Sequence, residues 1–193
     1  MRLVFWGSQG AFADLTCNLP ICRGLQLILT GALTGCTQTI VDNPIEVMKV
    51  RIITGDKLQH NIFNLDMYRG VIPTLSRNMV FASFFSLGIG LHMFDNDTKY
   101  TQFLQSACSG AVASIISHPF DVAKTASQRS GSDMVMNWRE LGQFITHNSP
   151  KTLWSGCVAR CILSCATMSI GYVTVNTLTS NENMNGYDEN IVE

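Results

Sequence analysis

The sequence predicts an all-α membrane protein, a transmembrane bundle of tandem helix-pair repeats with about five helices. Three observations predict it. Only 14% of the 193 residues are charged while 46% are hydrophobic, well below the roughly 25% charge of an ordinary soluble domain. The charges are segregated: the runs Gly24–Val41, Asn78–Phe94, Gln102–Phe120 and Cys161–Asn181 hold no Asp, Glu, Lys or Arg, and each approaches the ~17–25 residues that a helix needs to span hydrocarbon. Finally, the chain repeats itself. Gly31-x-x-x-Gly35 is followed after eight residues by Pro44-x-Glu46-x-x-Lys49-x-Arg51, and Ser106-x-x-x-Gly110 after eight residues by Pro119-x-Asp121-x-x-Lys124. A spacing of 75 residues between the prolines is too long for a soluble solenoid repeat and suits a helix hairpin that crosses a membrane and returns.

In chain order, residues 1–23 form a helical half-span. A first helix pair over 24–100 runs from Gly24 through Pro44, breaks after Arg51, and re-enters at Tyr68-Arg69-Gly70 into a helix ending near Phe94. The second pair, over 101–180, runs from Gln102 through Pro119 and re-enters at Trp154-Ser155-Gly156. Between its helices, Met134, Trp138, Leu141 and Ile145 fall at helical spacing, which predicts an amphipathic helix on the membrane surface over Met134–Asn148. The Asn- and acid-rich stretch 181–193 reads as a disordered tail. Four spans is the minimum. Small residues dominate them, as they do in helices that pack closely or line an aqueous cavity.

Formal net charge is −1, so no basic field exists to release counterions from phosphate, and nucleic acid is excluded as a primary partner. Basic residues cluster in the connections Lys49–Gly70 and Lys124–Ser155, which the positive-inside bias places on one face. The N-terminus lacks the pattern of a secretory signal peptide. Seven cysteines give no disulfide or zinc framework. Cys157, Cys161 and Cys165 share one helix face and read as small packing residues, because a metal site needs ligands converging from several directions. Scattered His60, His92, His118 and His147 receive no chemistry, and no nucleophile–base constellation or phosphate loop points to an enzyme or to a cofactor.

Pro44 and Pro119 sit late in apolar helices, where proline removes a backbone hydrogen bond and kinks the axis. The acid two residues on and the lysine five residues on share a face of the continuing helix. Charges at a membrane boundary that face a common centre are costly unless paired, so Glu46, Lys49, Asp121 and Lys124 are candidate functional residues. Snorkelling at a helix end would explain one such pair. It does not explain the same spacing twice.

These motifs resemble the mitochondrial carrier family, whose signature Pro-x-[Asp/Glu]-x-x-[Lys/Arg]-x-[Lys/Arg] ends each odd-numbered, proline-kinked helix and whose even helices open on aromatic-[Lys/Arg]-Gly. Pro44 to Arg51 matches throughout, and Tyr68-Arg69-Gly70 supplies the second element. The second copy matches at Pro119, Asp121 and Lys124 but has Ala126 for the last base and Ser155 within Trp154-Ser155-Gly156. The family has three repeats and six helices. Here two are present, with Phe5-Trp6-Gly7 resembling the start of the second helix, so the chain is similar to a truncated member retaining repeats two and three. The outer-gate motif of the even helices is absent: Ile89-Gly90 and Val175-Asn176 stand in its place.

The resemblance implies a matrix-side gate of Pro44, Glu46, Lys49, Arg51, Pro119, Asp121 and Lys124, braced by Gln128. In it Glu46 faces Lys124, while Asp121 and Lys49 lack their family partners. Substrate contact is implied at Arg77 and Asn78 on the fourth helix, Arg160 (one turn before Leu163) on the sixth, and Asp14 on the second. An arginine fork suits a small anionic, carboxylate-bearing metabolite. Cardiolipin-like lipid is implied at Tyr68, Arg69, Gly70, Trp154 and Gly156, where helix N-termini and a cation meet. The implied activity is alternating-access exchange across the mitochondrial inner membrane. The competing expectation is a non-transporting carrier-like membrane protein, with self-association as one way to complete the bundle.

Overall fold

The computed structural model describes residues 2–54, 71–91, 98–129 and 137–189. Among them the chain is helical without strands: α1 Arg2–Cys17, α2 Arg23–Thr54, α3 Val71–Gly90, α4 Lys99–Arg129, α5 Trp138–His147, α6 Pro150–Leu153 and α7 Cys157–Glu189. The five long helices pack in sequence order, α1 on α2, α2 on α3, α3 on α4 and α4 on α7, with a lighter contact between α7 and α1. Arg23–Glu46 and Pro150–Ser180 are long and apolar enough to cross a membrane. These two helices hold the first and most of the last of the four charge-free runs. The other two charge-free runs lie largely in α3 and α4, where Arg77, Asn78 and the Ser, Thr and Gln positions lower the apolarity.

Glycine spacing sets the helix contacts. A Cβ on Gly35 would lie 2.6 Å from backbone atoms of Asn78 and Met79, and one on Gly31 would collide with the Ala82 and Ser83 backbone. The Gly31/Gly35 pair is therefore the surface on which α3 lies against α2. In the second copy Ser106 is fully buried, and a Cβ on Gly110 would sit 3.3 Å from Met168 Cβ in α7. Many buried hydroxyls along these contacts are satisfied within their own helix. Thr30 donates to Gln26 O at 2.9 Å, Thr34 to Thr30 O at 2.9 Å and Thr39 to Gly35 O at 2.7 Å, the i−4 back-bonding that lets a polar side chain enter a packed interior.

Two apolar clusters fill the bundle. One joins Phe5, Ala82, Phe85, Ala113 and Met168, with Trp6, Phe81 and Ile89 against it. Phe5 meets Trp6 edge-on at 5.2 Å and Phe85 at 5.9 Å, and Phe81 stacks on Phe85 at 6.1 Å, the offset and T-shaped geometries that aromatic quadrupoles favour. The other cluster holds Ala123 and Leu141 with Ile72, Phe120, Phe144 and Ile145. It shows what the amphipathic helix does: α5 starts at Trp138, its Asn137 N–H is capped by Glu140 at 3.1 Å, and its apolar edge packs on the bundle. Met134 lies outside the described residues.

Pro150 opens α6 at a position where a missing N–H costs nothing, and Gly156, at φ 83°, turns the chain into α7. That helix continues to Glu189. Once a helix is nucleated and held by packing, adding residues of modest propensity is cheap.

Candidate functional site

Four helices bring the signature charges together. Glu46 comes from the turn after Pro44 in α2, Arg77 from the second turn of α3, Asp121 and Lys124 from the turns after Pro119 in α4, and Arg160 from the first turn of α7. Lys124 Nζ is paired with Glu46 Oε2, and an Arg160 guanidinium nitrogen with Asp121. Arg77 lies between the two acids, 3.8 Å from Glu46 and 3.5 Å from Asp121. The result is a crossed layer of three cations and two carboxylates tying α2, α3, α4 and α7 at one depth.

Neutral hydrogen bonds orient the two arginines. Asn78 Oδ1 accepts from Arg77 at 3.0 and 2.7 Å, while its Nδ2 donates to Thr39 at 3.0 Å. Arg160 donates to Ser114 at 3.2 Å and to Ser117 at 3.4 Å, and Ser114 meets Ser164 at 3.1 Å. A guanidinium held by a carboxylate on one side and by hydroxyls or amides on the other is fixed in direction, the condition for bidentate recognition of an anion.

Cavities lie against this layer. The larger, about 510 Å³, takes Lys49, His118, Thr125, Ser155 and Gly156 beside the charged residues. The smaller, about 280 Å³, is lined by Gln38, Asp42, Asn78, Phe81, Leu163 and Ser164. Glu46, Arg77 and Arg160 border both. Beyond Phe81 the aromatic cluster of Phe5, Trp6 and Phe85 fills the interior. A small solute in the inner cavity would thus meet two arginines and the ring of Phe81.

The expected Glu46–Lys124 pairing is present. Asp121, expected without a family partner, is instead held by Arg160 and Arg77, because α7 brings an arginine to the same depth as the acid of α4. Lys49 lines the larger cavity. Asp14 is not part of this site: it is exposed, and the contacts recorded for it are of its backbone carbonyl with Cys17 and Asn18. The reason is the face of α1: Phe5 and Thr16, eleven residues apart on one side of the helix, are buried, Thr16 meeting Thr30 of α2, whereas Asp14 lies on the opposite side. Gly156 borders the larger cavity while Trp154 is 44% exposed. Tyr68, Arg69 and Gly70 lie outside the described residues, as do the side chains of Arg51 and Gln128. Cys161 and Cys165 of α7 face α4, Cys165 reaching Ala107 O at 3.3 Å, while Cys157 meets Cys161 at 3.8 Å, and no group of three His, Cys, Asp or Glu among the described residues is arranged to hold a metal ion.

Sequence reasoning missed two residues. His118, 5% exposed, contacts the Ser155 carbonyl at 3.1 Å and so ties the proline turn of α4 to the start of α7. Asp42, 3% exposed, lines the inner cavity. Its signal was available: it lies four residues before Glu46, on the same helix face one turn deeper.

Antiparallel helix pairs packed around an internal chamber, with proline-adjacent ion pairs at its charged end, define a carrier-type membrane bundle. The comparisons name the family. The family model described as mitochondrial carrier protein matches residues 95–183. An uncharacterised mitochondrial carrier of Schizosaccharomyces pombe is 34% identical over 144 residues, 63% of this chain and 42% of that protein. A mitochondrial substrate carrier family protein of Dictyostelium discoideum is 28% identical, covering 71% of this chain and 52% of its own. A mitochondrial coenzyme A transporter of Xenopus tropicalis is 29% identical, covering 66% and 42%. No solved structure matches. Over these residues the chain is similar to the mitochondrial carrier family, whose members are carriers. It spans about half the length of these curated relatives, or less.

Proposed function

We propose that the chain acts as a mitochondrial-carrier-type solute transporter, exchanging a small carboxylate-bearing anion across the mitochondrial inner membrane by alternating access. One observation carries this reading: Arg77 and Arg160 converge from α3 and α7 on the same internal cavity, with the acids after the two prolines as their counterions. An anion entering the chamber competes with Glu46 and Asp121 for the two arginine forks. As the arginines turn to the anion, the ties between helices loosen, and binding is coupled to opening of the gated end. A relative named a coenzyme A transporter, whose solute is itself an anion, agrees with this charge preference. Multi-pass insertion, anionic lipid at Tyr68-Arg69-Gly70 and at Trp154 and Gly156, and pairing of two chains belong to the same proposal.

The test is uptake of carboxylates into liposomes reconstituted with the protein. Arg77→Ala removes a charged partner from a desolvated site, a loss of about 2–5 kcal/mol, or roughly 30-fold and more in uptake. Unchanged uptake by a folded Arg77→Ala protein would refute the role. A second reading, a non-transporting carrier-like membrane protein, is favoured by Phe5 and Trp6, which fill the interior beyond the chamber. It predicts no exchange of any small carboxylate by well-folded wild-type protein.

A further inference from the structure

We propose that Asp42 forms an acidic subsite of the inner cavity, and that the solute bound there carries an ammonium or other N–H donor in addition to its anionic group. The inference deepens the transporter reading and rests on it. Asp42 is 3% exposed, and Gln38 Nε2 donates to its Oδ2 at 2.9 Å. Its other oxygen, Oδ1, is buried and accepts no hydrogen bond from the described residues. A buried carboxylate oxygen without a donor is costly, and this one belongs to a residue lining a 280 Å³ cavity. A ligand donor would remove that cost.

The charge pattern argues for an ammonium over a second anionic group. Glu46 and Asp121 are engaged with Lys124, Arg160 and Arg77, whereas Asp42 has no ion pair among the described residues. The inner cavity is lined by Asp42 and Glu46 against Arg77 and Arg160, so a dianion would enter a site whose cations are already matched. An ammonium on the same anion cuts the negative charge brought into the site by one unit. The solute's anionic end takes Arg77, whose carboxylate contacts of 3.5 and 3.8 Å are longer than the ~2.7–2.9 Å of a tight charge-assisted bond and so leave the fork able to accept a new partner. Its N–H end reaches Asp42 on the same cavity wall. Because hydrogen bonds to a charged group in a desolvated site are strong, the solute lacking the amine is rejected in proportion.

The experiment uses the full chain purified in detergent and a matched pair of probes, aspartate and succinate, which differ by the ammonium group alone. Affinities are read from the concentration dependence of thermal unfolding. The wild type is expected to prefer aspartate by about tenfold or more, Asp42→Asn to reduce the preference to about twofold or less, and Asp42→Glu to keep part of it. Arg77→Ala should weaken both probes. Equal wild-type affinities, or a preference that survives Asp42→Asn, overturn the subsite. If succinate binds in an Arg77-dependent way without any aspartate preference, the subsite falls while the anion reading stands. If neither probe binds the wild type, both fall. Should Asp42→Asn not fold, the wild-type pair and Asp42→Glu still decide.

Discussion

Neutralising Glu46 and Lys124, singly and together, tests the gate where its geometry is densest. Glu46 is shared: Lys124 pairs with one oxygen and Arg77 stands 3.8 Å from the other. Glu46→Gln therefore removes the carboxylate from both cations, but Arg77 keeps Asp121 at 3.5 Å. Lys124, whose side chain is 7% exposed, takes most of the damage. Two unit charges ~4 Å apart attract by about 4 kcal/mol at the effective dielectric of a partly buried site, and breaking a buried pair by removing one partner costs on the order of 3–5 kcal/mol. Lys124→Met leaves Glu46 with Arg77 and should cost less. In the double variant neither charge is stranded, so the coupling should be about 1–3 kcal/mol. For a chain of this size that corresponds to roughly 2–12 °C in Tm. Thermal unfolding in detergent of the wild type, both singles and the double reads it directly. Strictly additive losses would mean that the two side chains do not sense each other and that the crossed layer is wrong. Full charge exchange is a weaker test, because a lysine at 46 would face Arg77.

Three further predictions concern packing and backbone. Gly35→Ala places a Cβ 2.6 Å from α3 backbone and Gly110→Ala places one 3.3 Å from a side chain, so Gly35→Ala should cost about 1–3 kcal/mol of overpacking and Gly110→Ala distinctly less; equal Tm losses would contradict the assigned close approach. Phe85→Ala should destabilise by about 3–5 kcal/mol, since Phe85 is fully buried among Phe5, Trp6 and Phe81; a loss under 1 kcal/mol in denaturant titration would show that the cluster is not packed. Gly156→Ala, at φ 83° with open space around its Cβ position, should cost about 1–2 kcal/mol through the left-handed backbone alone, and a neutral effect would place the turn elsewhere.

Much of this protein was legible along the chain because its signals are local and repeated. Charge-free runs and small-x-x-x-small pairs gave the helices and their contact faces, and the spacing from Pro44 to Lys49, met again from Pro119 to Lys124, marked the turns that carry the gate. Lateral placement was not legible, because it depends on which helices meet and at what depth. Only the packing of α7 against α4 puts Arg160 on Asp121, so that the acid read as lacking its family partner is doubly held. Only the docking of α1 through Phe5 and Thr16 fixes which of its faces looks inward, and Asp14, on the opposite face, is left outside. The sequence by itself determined which residues are charged, which are small and how they are spaced. The tertiary structure decided which charges face one another, because an ion pair is a relation between helices and spacing within a helix does not specify it.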